Sequence, residues 1–249
     1  MYTETILKFL SDFDYINLHP RAALIDMDGT LYDSMPNHAR AWRQMAAEIG
    51  IDLPEADFFR YEGRTGASTI DIIFREAFGR GATEEEKKDL YRRKTEIFAE
   101  MPPVSPMPGA RQMLEFLDAV GVRRVLVTGS GQSTLLNRLD KDFPGAFQKD
   151  LRITSRDVKI GKPSPEPYLK AMELAGVRQN ECFVIENAPL GVEAGHAAKL
   201  FTVGVNTGPL RQEELSDAGA DIVFPSMTAF SEALPYLIYG FITNSRNLN

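Results

Sequence analysis

The chain has 249 residues, 43% of them apolar and 25% charged, with a formal net charge of −7. That composition supports a sizeable folded core, and the acidic balance argues against nucleic acid or an anionic membrane as a partner. It does not exclude a small anionic substrate, because a metal and a few local cations can reverse the local field.

The N-terminal stretch "MYTETILKFLSDFDYINLHPR" carries acids and lacks a long apolar core, so it does not read as a signal peptide. Ile6, Phe9 and Leu10 can form one face of a short helix, expected as an N-terminal extension (1–20) docked on the surface. "AALID" (Ala22–Asp26) is an apolar run without polar alternation, the pattern of a buried parallel strand. From about Met35 to Met101 no strand is predicted. Ala39, Trp42, Met45, Ala46 and Ile49 recur at helical spacing, with Gly50 as a C-cap. "ASTIDIIFREAFG" is helical and ends at Gly79, and Thr83 with Glu86 forms a capping box before a further helix. "MPPVSPMPG" (Met101–Gly109) is Pro-rich and reads as a hinge. Helices then follow at Gly109–Val120, Gln132–Asp140, Pro165–Ala175, Leu190–Lys199 and Met227–Tyr236. Strands are expected at Arg124–Thr128, Cys182–Glu186, Phe201–Val205 and Asp221–Phe224, with a weaker one at Leu151–Thr154. Alternating strands and helices give right-handed crossovers and a parallel sheet covered on both faces. The expected fold is a Rossmann-like α/β core (21–34 and 106–249) with an inserted all-helical cap (35–105). Cys182, the single cysteine, excludes an intrachain disulfide and reads as a small buried hydrophobe. No run of about 18 apolar residues is present, so no membrane span is expected. A cytoplasmic protein, monomeric or weakly oligomeric, is the expectation.

Four segments carry chemistry. In "LIDMDGTLYDS", Asp26 ends the first strand and Asp28 follows two residues later. Two carboxylates that close repel unless a cation or a shared proton compensates. Such a pair suits a carboxylate nucleophile beside an acid/base, with Mg²⁺ between protein and phosphate. In "VLVTGSGQS", Thr128, Gly129 and Ser130 lead from a strand into a helix, offering a hydroxyl, bare amides and a helix N-terminus to an anion. In "KIGKPSPEPY", Pro163 holds Lys162 extended; this lysine can hold a phosphate or neutralise a phosphorylated Asp. In "CFVIENAPLGVEAG", a strand runs into Glu186 and Asn187 ahead of a helix, where open α/β sheets place their sites.

In this order and setting the four segments resemble the haloacid dehalogenase-like superfamily over nearly the whole chain. The resemblance implies Asp26 as the nucleophile forming an aspartyl-phosphate, Asp28 as general acid/base, and Thr128 and Lys162 as phosphoryl-binding groups. The acid at Asp28 argues against dehalogenation. Within the superfamily the chain is similar to the β-phosphoglucomutase-like branch. His38 in "MPNHARAW" and Lys94 in "RRKTE" match cap residues of those mutases, although each also suits a solvated helix face.

The cap loop departs from that branch. "YEGRTGAST" has Glu62 where the mutases have a lysine, Gly66 where they have an arginine, and Arg64 two positions early. Asn187 likewise replaces an acid that binds Mg²⁺. Glu62 can restore the missing charge when the cap closes, giving a metal set of the Asp26 carboxylate, the Asp28 carbonyl, Asn187 Oδ1 and Glu62. Glu186 would order metal-bound water or Lys162, and Arg64 would meet the leaving phosphate. This combination is similar to that of the branch's pyrophosphate-hydrolysing members. The expectation is therefore a Mg²⁺-dependent phosphohydrolase with inorganic pyrophosphatase activity. The alternative is a β-phosphoglucomutase or small sugar-phosphate phosphatase. A non-catalytic binding module with a decayed metal site is the rival of another class; the intact Asp26, Asp28, Thr128 and Lys162 count against it.

Overall fold

The computed structural model describes residues 2–131 and 133–244; Gln132, the expected start of one helix, lies outside them. In chain order the elements are α1 (Thr3–Asp12), β1 (Ala22–Ile25), α2 (Met35–Glu48), α3 (Glu55–Arg60), α4 (Gly66–Phe78), α5 (Glu84–Glu100), α6 (Ala110–Ala119), β2 (Arg123–Val127), α7 (Ser133–Asp142), β3 (Arg152–Ile153), α8 (Glu166–Ala175), β4 (Cys182–Glu186), α9 (Pro189–Ala197), β5 (Phe201–Val205), α10 (Gln212–Asp217), β6 (Ile222–Phe224) and α11 (Met227–Thr243). The six strands form one sheet in the order β3-β2-β1-β4-β5-β6, and every pairing is parallel. β1 lies between β2 and β4, so the order reverses there and a crevice opens at the strand ends.

The strands read as continuous apolar runs because both faces of the sheet are covered. Ala22, Leu24, Val125, Val127, Cys182 and Val184 face one layer with Tyr168 and Ala171 of α8. Ala23, Ile25, Leu126, Phe183 and Ile185 face the other, which also holds side chains of α1, α6, α11 and the cap helices. Helix α1 is more than a docked extension. Ile6, Phe9 and Leu10 are buried in that larger layer, and Phe9 meets Phe201 edge-on at 5.3 Å between ring centroids.

Between β1 and α6 the described residues form helices α2 to α5, the helical cap, and no strand. The cap stops follow the expected chemistry. Gly50 takes φ +79° after α2, Gly79 caps α4 in the left-handed region, and the Thr83–Glu86 capping box opens α5. Two differences from the sequence reading have plain causes. Helix α11, which contains Pro235, runs on beyond Tyr236 to Thr243. Leu234, Leu237, Ile238 and Phe241 are buried at helical spacing, and their packing outweighs the hydrogen bond that proline removes. The one-and-a-half-turn helices α3 and α10 are too short for a visible period.

Candidate active site

Backbone pairing sets the site. Asp26 N–H donates to the Ile185 carbonyl (3.0 Å) and Thr128 N–H to the Ile153 carbonyl (2.9 Å). The ladder thus carries the ends of β1, β2 and β4, with Asp26, Thr128 and Glu186, to one edge of the crevice. Beyond Asp26 the chain turns sharply. Gly29 takes φ +79°, and a Cβ there would lie 2.1 Å from Asn187 Nδ2 and 3.0 Å from Glu62 Oε1. Only glycine fits that turn, both by conformation and by space.

Lys162 is the centre of the buried charge network. Its Nζ donates to Asp26 Oδ1 (2.6 Å), Glu186 Oε1 (2.5 Å) and the Val127 carbonyl (3.1 Å), so its three protons are engaged. Glu186 is satisfied on every side. Tyr168 O–H donates to Oε1 (2.8 Å), and the Asn187 and Ala188 N–H groups donate to Oε2. Burial opposes the lysine's charge, but Asp26 and Glu186 hold it protonated beyond the ordinary lysine value. Burial pushes Asp26 well above the usual carboxylate range; Lys162 pulls against this, while Glu186 and Asp28 add to it.

Asp28 is held differently. Ser34 Oγ donates to its Oδ1 (2.7 Å), and His38 Nε2 lies 3.0 Å from the same oxygen. Lys94 Nζ is 2.6 Å from His38 Nδ1. An ammonium can only donate, so Nδ1 accepts from charged Lys94 and the Nε2–H faces Asp28. Burial alone would raise Asp28, yet His38, Ser34 and Lys94 together bring it below the ordinary value. Burial between Trp42 and Phe98, with Lys94 Nζ 5.1 Å from each ring, brings Lys94 down to about 7, with Asp28 opposing. Burial and Lys94 also lower His38.

The cap loop lies on the core. Asn187 Nδ2 donates to Glu62 Oε1 (2.9 Å) and Thr30 Oγ1 donates to Asn187 Oδ1 (3.1 Å). A Cβ on Gly129 would meet the Gly63 carbonyl oxygen at 2.5 Å. Burial pushes Glu62 well above the usual range, and repulsion from Asp26 adds to that. The cavity between cap and core, open on one side, is about 70 Å³. Of the residues singled out in the sequence, Asp26, Asp28, His38, Glu62, Arg64, Lys94, Thr128, Gly129 and Ser130 line it. Lys162, Glu186 and Asn187 stand behind Asp26 and Glu62. Arg64 reaches Ser68 Oγ at 3.4 Å, and its buried Nε has no protein partner. Thr128 Oγ1 accepts from Ser130 N–H (3.0 Å).

Sequence reasoning missed Thr30, Ser34, Tyr168 and Tyr91. The first three act through single hydrogen bonds to predicted residues, a role with no motif of its own. Tyr91 shares a helix face with Lys94, and that i,i+3 spacing was the available signal.

A divalent cation suits the donor set. Four carboxylates (Asp26, Asp28, Glu62 and Glu186) face two lysines and His38; burial is the main cause of the raised Glu62 pKa, and repulsion from Asp26, Glu186 and Asp28 adds to it. All donors are oxygens, as Mg²⁺ requires. Among the described residues no three His, Cys, Asp or Glu side chains converge on one ion position; the expected set instead combines two carboxylates with an amide and a backbone carbonyl.

A buried carboxylate stands at a strand end, with a second beside it and a helical cap above; this is the plan of capped α/β hydrolases. The family model described as haloacid dehalogenase-like hydrolase matches residues 20–199, and the chain belongs to that family of hydrolases. It is 32% identical to hexitol phosphatase A of Escherichia coli K12, over 74% of this chain and 82% of that one. It is 32% identical to glycerol-1-phosphate phosphohydrolase 2 of Saccharomyces cerevisiae, over 84% of this chain and 83% of that one. A solved structure from Bacteroides vulgatus, described provisionally as a β-phosphoglucomutase, superposes with a TM-score of 0.93 at 46% identity, covering 96% of this chain and 98% of that one.

Proposed function

We propose that the protein is a Mg²⁺-dependent phosphohydrolase of small phosphorylated substrates, working through an aspartyl-phosphate on Asp26. One observation carries this reading: lysine-held Asp26 stands beside Asp28, which Ser34 and His38 orient. Residues 21–34 and 106–249 serve as the catalytic core, 35–105 as the cap and 1–20 as the N-terminal extension.

Asp26 attacks phosphorus in line, the bond from phosphorus to the leaving oxygen breaks, and Asp28, in the minor protonated form that its lowered pKa leaves, delivers a proton to that oxygen. Asp28 then takes a proton from water, which attacks the aspartyl-phosphate and frees phosphate and Asp26. Both partners of Asp28 bind Oδ1, so Oδ2 is the oxygen that handles the proton. Lys162 stays charged throughout and offsets the charge at Asp26. Thr128, whose oxygen accepts from Ser130, keeps its own proton for a phosphoryl oxygen. Mg²⁺ would be held by the Asp26 carboxylate, the Asp28 carbonyl, Asn187 and Glu62, and supplies charge neutralisation at the transferring group.

The relatives' names favour a small sugar or polyol phosphate as substrate, with mutase-type transfer between sugar hydroxyls as a variant. Pyrophosphate, the first expectation from the sequence, has no counterpart among the relatives named above and takes second place. The Glu62–Asn187 contact keeps it in view, since a carboxylate stands where a cation would grip a sugar phosphate. A panel of glycerol 1-phosphate, hexitol phosphates, β-glucose 1-phosphate and pyrophosphate, with Mg²⁺ and with EDTA, tests the proposal. Phosphate release fastest from a sugar or polyol phosphate supports the first reading, and fastest from pyrophosphate the second. No metal-dependent release from any of them refutes the proposal.

A further inference from the structure

We infer that Tyr91 is a specificity-determining residue that closes the leaving-group side of the cavity and limits substrates to leaving groups no larger than a phosphate or a three-carbon alcohol. The inference rests on the phosphohydrolase reading. Tyr91 lies on α5 one turn before Lys94 and lines the same cavity. Its ring packs on Gly66, where a Cβ would fall 2.1 Å from the Tyr91 Cδ2 and 2.2 Å from its Cε2. The hydroxyl crosses to the core and hydrogen-bonds at Ser130 and the Gly131 backbone, in the loop after β2. Tyr91 therefore spans from cap to core beside the residues offered to the phosphoryl group.

Two further observations fix what this span does. The leaving group must project from Asp26 toward the cap, where Asp28 protonates it, and the wall it meets there contains Trp42, Phe58, Tyr91 and Lys94. The cavity of about 70 Å³ is far below the roughly 300–1,000 Å³ of pockets for drug-sized ligands. Gly66 is also the position where a mutase-like cap loop would carry an arginine. Here the Tyr91 ring takes that space, so Gly66 and Tyr91 form a pair: the loop gives up a side chain that would grip a sugar phosphate, and the helix fills the gap with an aromatic wall.

The test uses Tyr91→Leu, which keeps apolar packing on Gly66 but withdraws the ring and hydroxyl, and Tyr91→Phe, which keeps the wall. Tyr91→Met replaces the leucine variant should that one not fold. Binding of methylenediphosphonate and of the phosphonate analogue of glucose 6-phosphate, with Mg²⁺, is read from the fluorescence of Trp42. It is the only tryptophan, and its ring centroid is 6.3 Å from that of Tyr91. kcat/KM is measured in parallel for pyrophosphate, glycerol 1-phosphate and glucose 6-phosphate. The intact protein should prefer the compact ligand by about tenfold or more, a range steric pockets reach. Tyr91→Leu should remove most of that preference by gaining the hexose ligand, and Tyr91→Phe should keep it. An unchanged preference in a folded Tyr91→Leu, or no preference in the intact protein, overturns the inference. Selective binding without turnover would instead remove the phosphohydrolase reading and leave the steric wall standing.

Discussion

Replacing Lys162 with methionine tests the charge network behind the nucleophile. The lysine side chain is fully buried, and its partners Asp26 and Glu186 are 6% and 1% exposed. The substitution keeps the volume and leaves two carboxylates facing each other without a cation. Breaking a buried ion pair from one side costs about 3–5 kcal/mol. Tyr168 and two backbone N–H groups still hold Glu186, which favours the lower figure. At roughly 2–4 °C per kcal/mol for a chain of this size, the melting temperature should fall by roughly 6–20 °C. The loss should depend on pH. Asp26 already has a raised pKa, and Lys162 is the largest influence opposing that rise, so the variant raises it further. A carboxylate whose folded pKa exceeds its unfolded value contributes stability below the unfolded pKa and loses it as pH climbs through the folded pKa. The deficit of Lys162→Met should therefore be smaller near about pH 5.5 than near about pH 8. Melts followed by circular dichroism in EDTA read both effects. A loss under about 1 kcal/mol, the range of exposed pairs, would refute the reasoning, as would a deficit that grows on acidification.

Glu62→Ala and Asn187→Asp should be coupled by about 0.5–3 kcal/mol in Mg²⁺ affinity, as contacting residues are; a double-mutant cycle by calorimetry that gives additive effects counts against a shared cation. Gly129→Ala places a methyl 2.5 Å from the Gly63 carbonyl oxygen, so the cap loop should lift and kcat/KM fall by on the order of 10²-fold, with the melting temperature nearly unchanged. Unchanged turnover would show that closure over Gly129 is not needed. Lys94→Met probes a cation whose pKa burial lowers to about 7. Between that value and the ordinary lysine pKa only the unfolded chain holds the proton, so stability rises with pH in this window. The intact protein should gain on Lys94→Met from about pH 7 to about pH 9 in urea melts, and a flat difference would contradict the burial argument.

The core was legible because parallel strands buried on both faces leave continuous apolar runs such as "CFVIE" and "FTVGV", and because Asp26, Thr128 and Glu186 sit where those runs stop. The cap helices were legible from Trp42, Met45 and Ile49 at helical spacing and from the Thr83–Glu86 box. What stayed hidden depends on packing between distant segments. Helix α11 was expected to end at Tyr236, yet the buried Leu237, Ile238 and Phe241 carry it on to Thr243. Lys94 reads equally well as a solvated lysine, and only the folding of α5 against α2 brings it to His38. Ser34 and Tyr168 carry no signature, since one hydroxyl bonding one carboxylate leaves no periodicity in the chain. Gly66 looked like a lost arginine; its use is visible only once Tyr91 lies across it.

The central claim is that Asp26 becomes phosphorylated during turnover. Rapid acid quench of the Mg²⁺-loaded enzyme with its best substrate, followed by mass spectrometry of the peptide carrying Asp26, tests it most directly. A phosphoryl adduct on Asp26 should form and decay at catalytically competent rates, and should be absent, together with all turnover, in Asp26→Asn. Metal-dependent turnover with no adduct on Asp26, or turnover retained in Asp26→Asn with deamidation excluded, would contradict it.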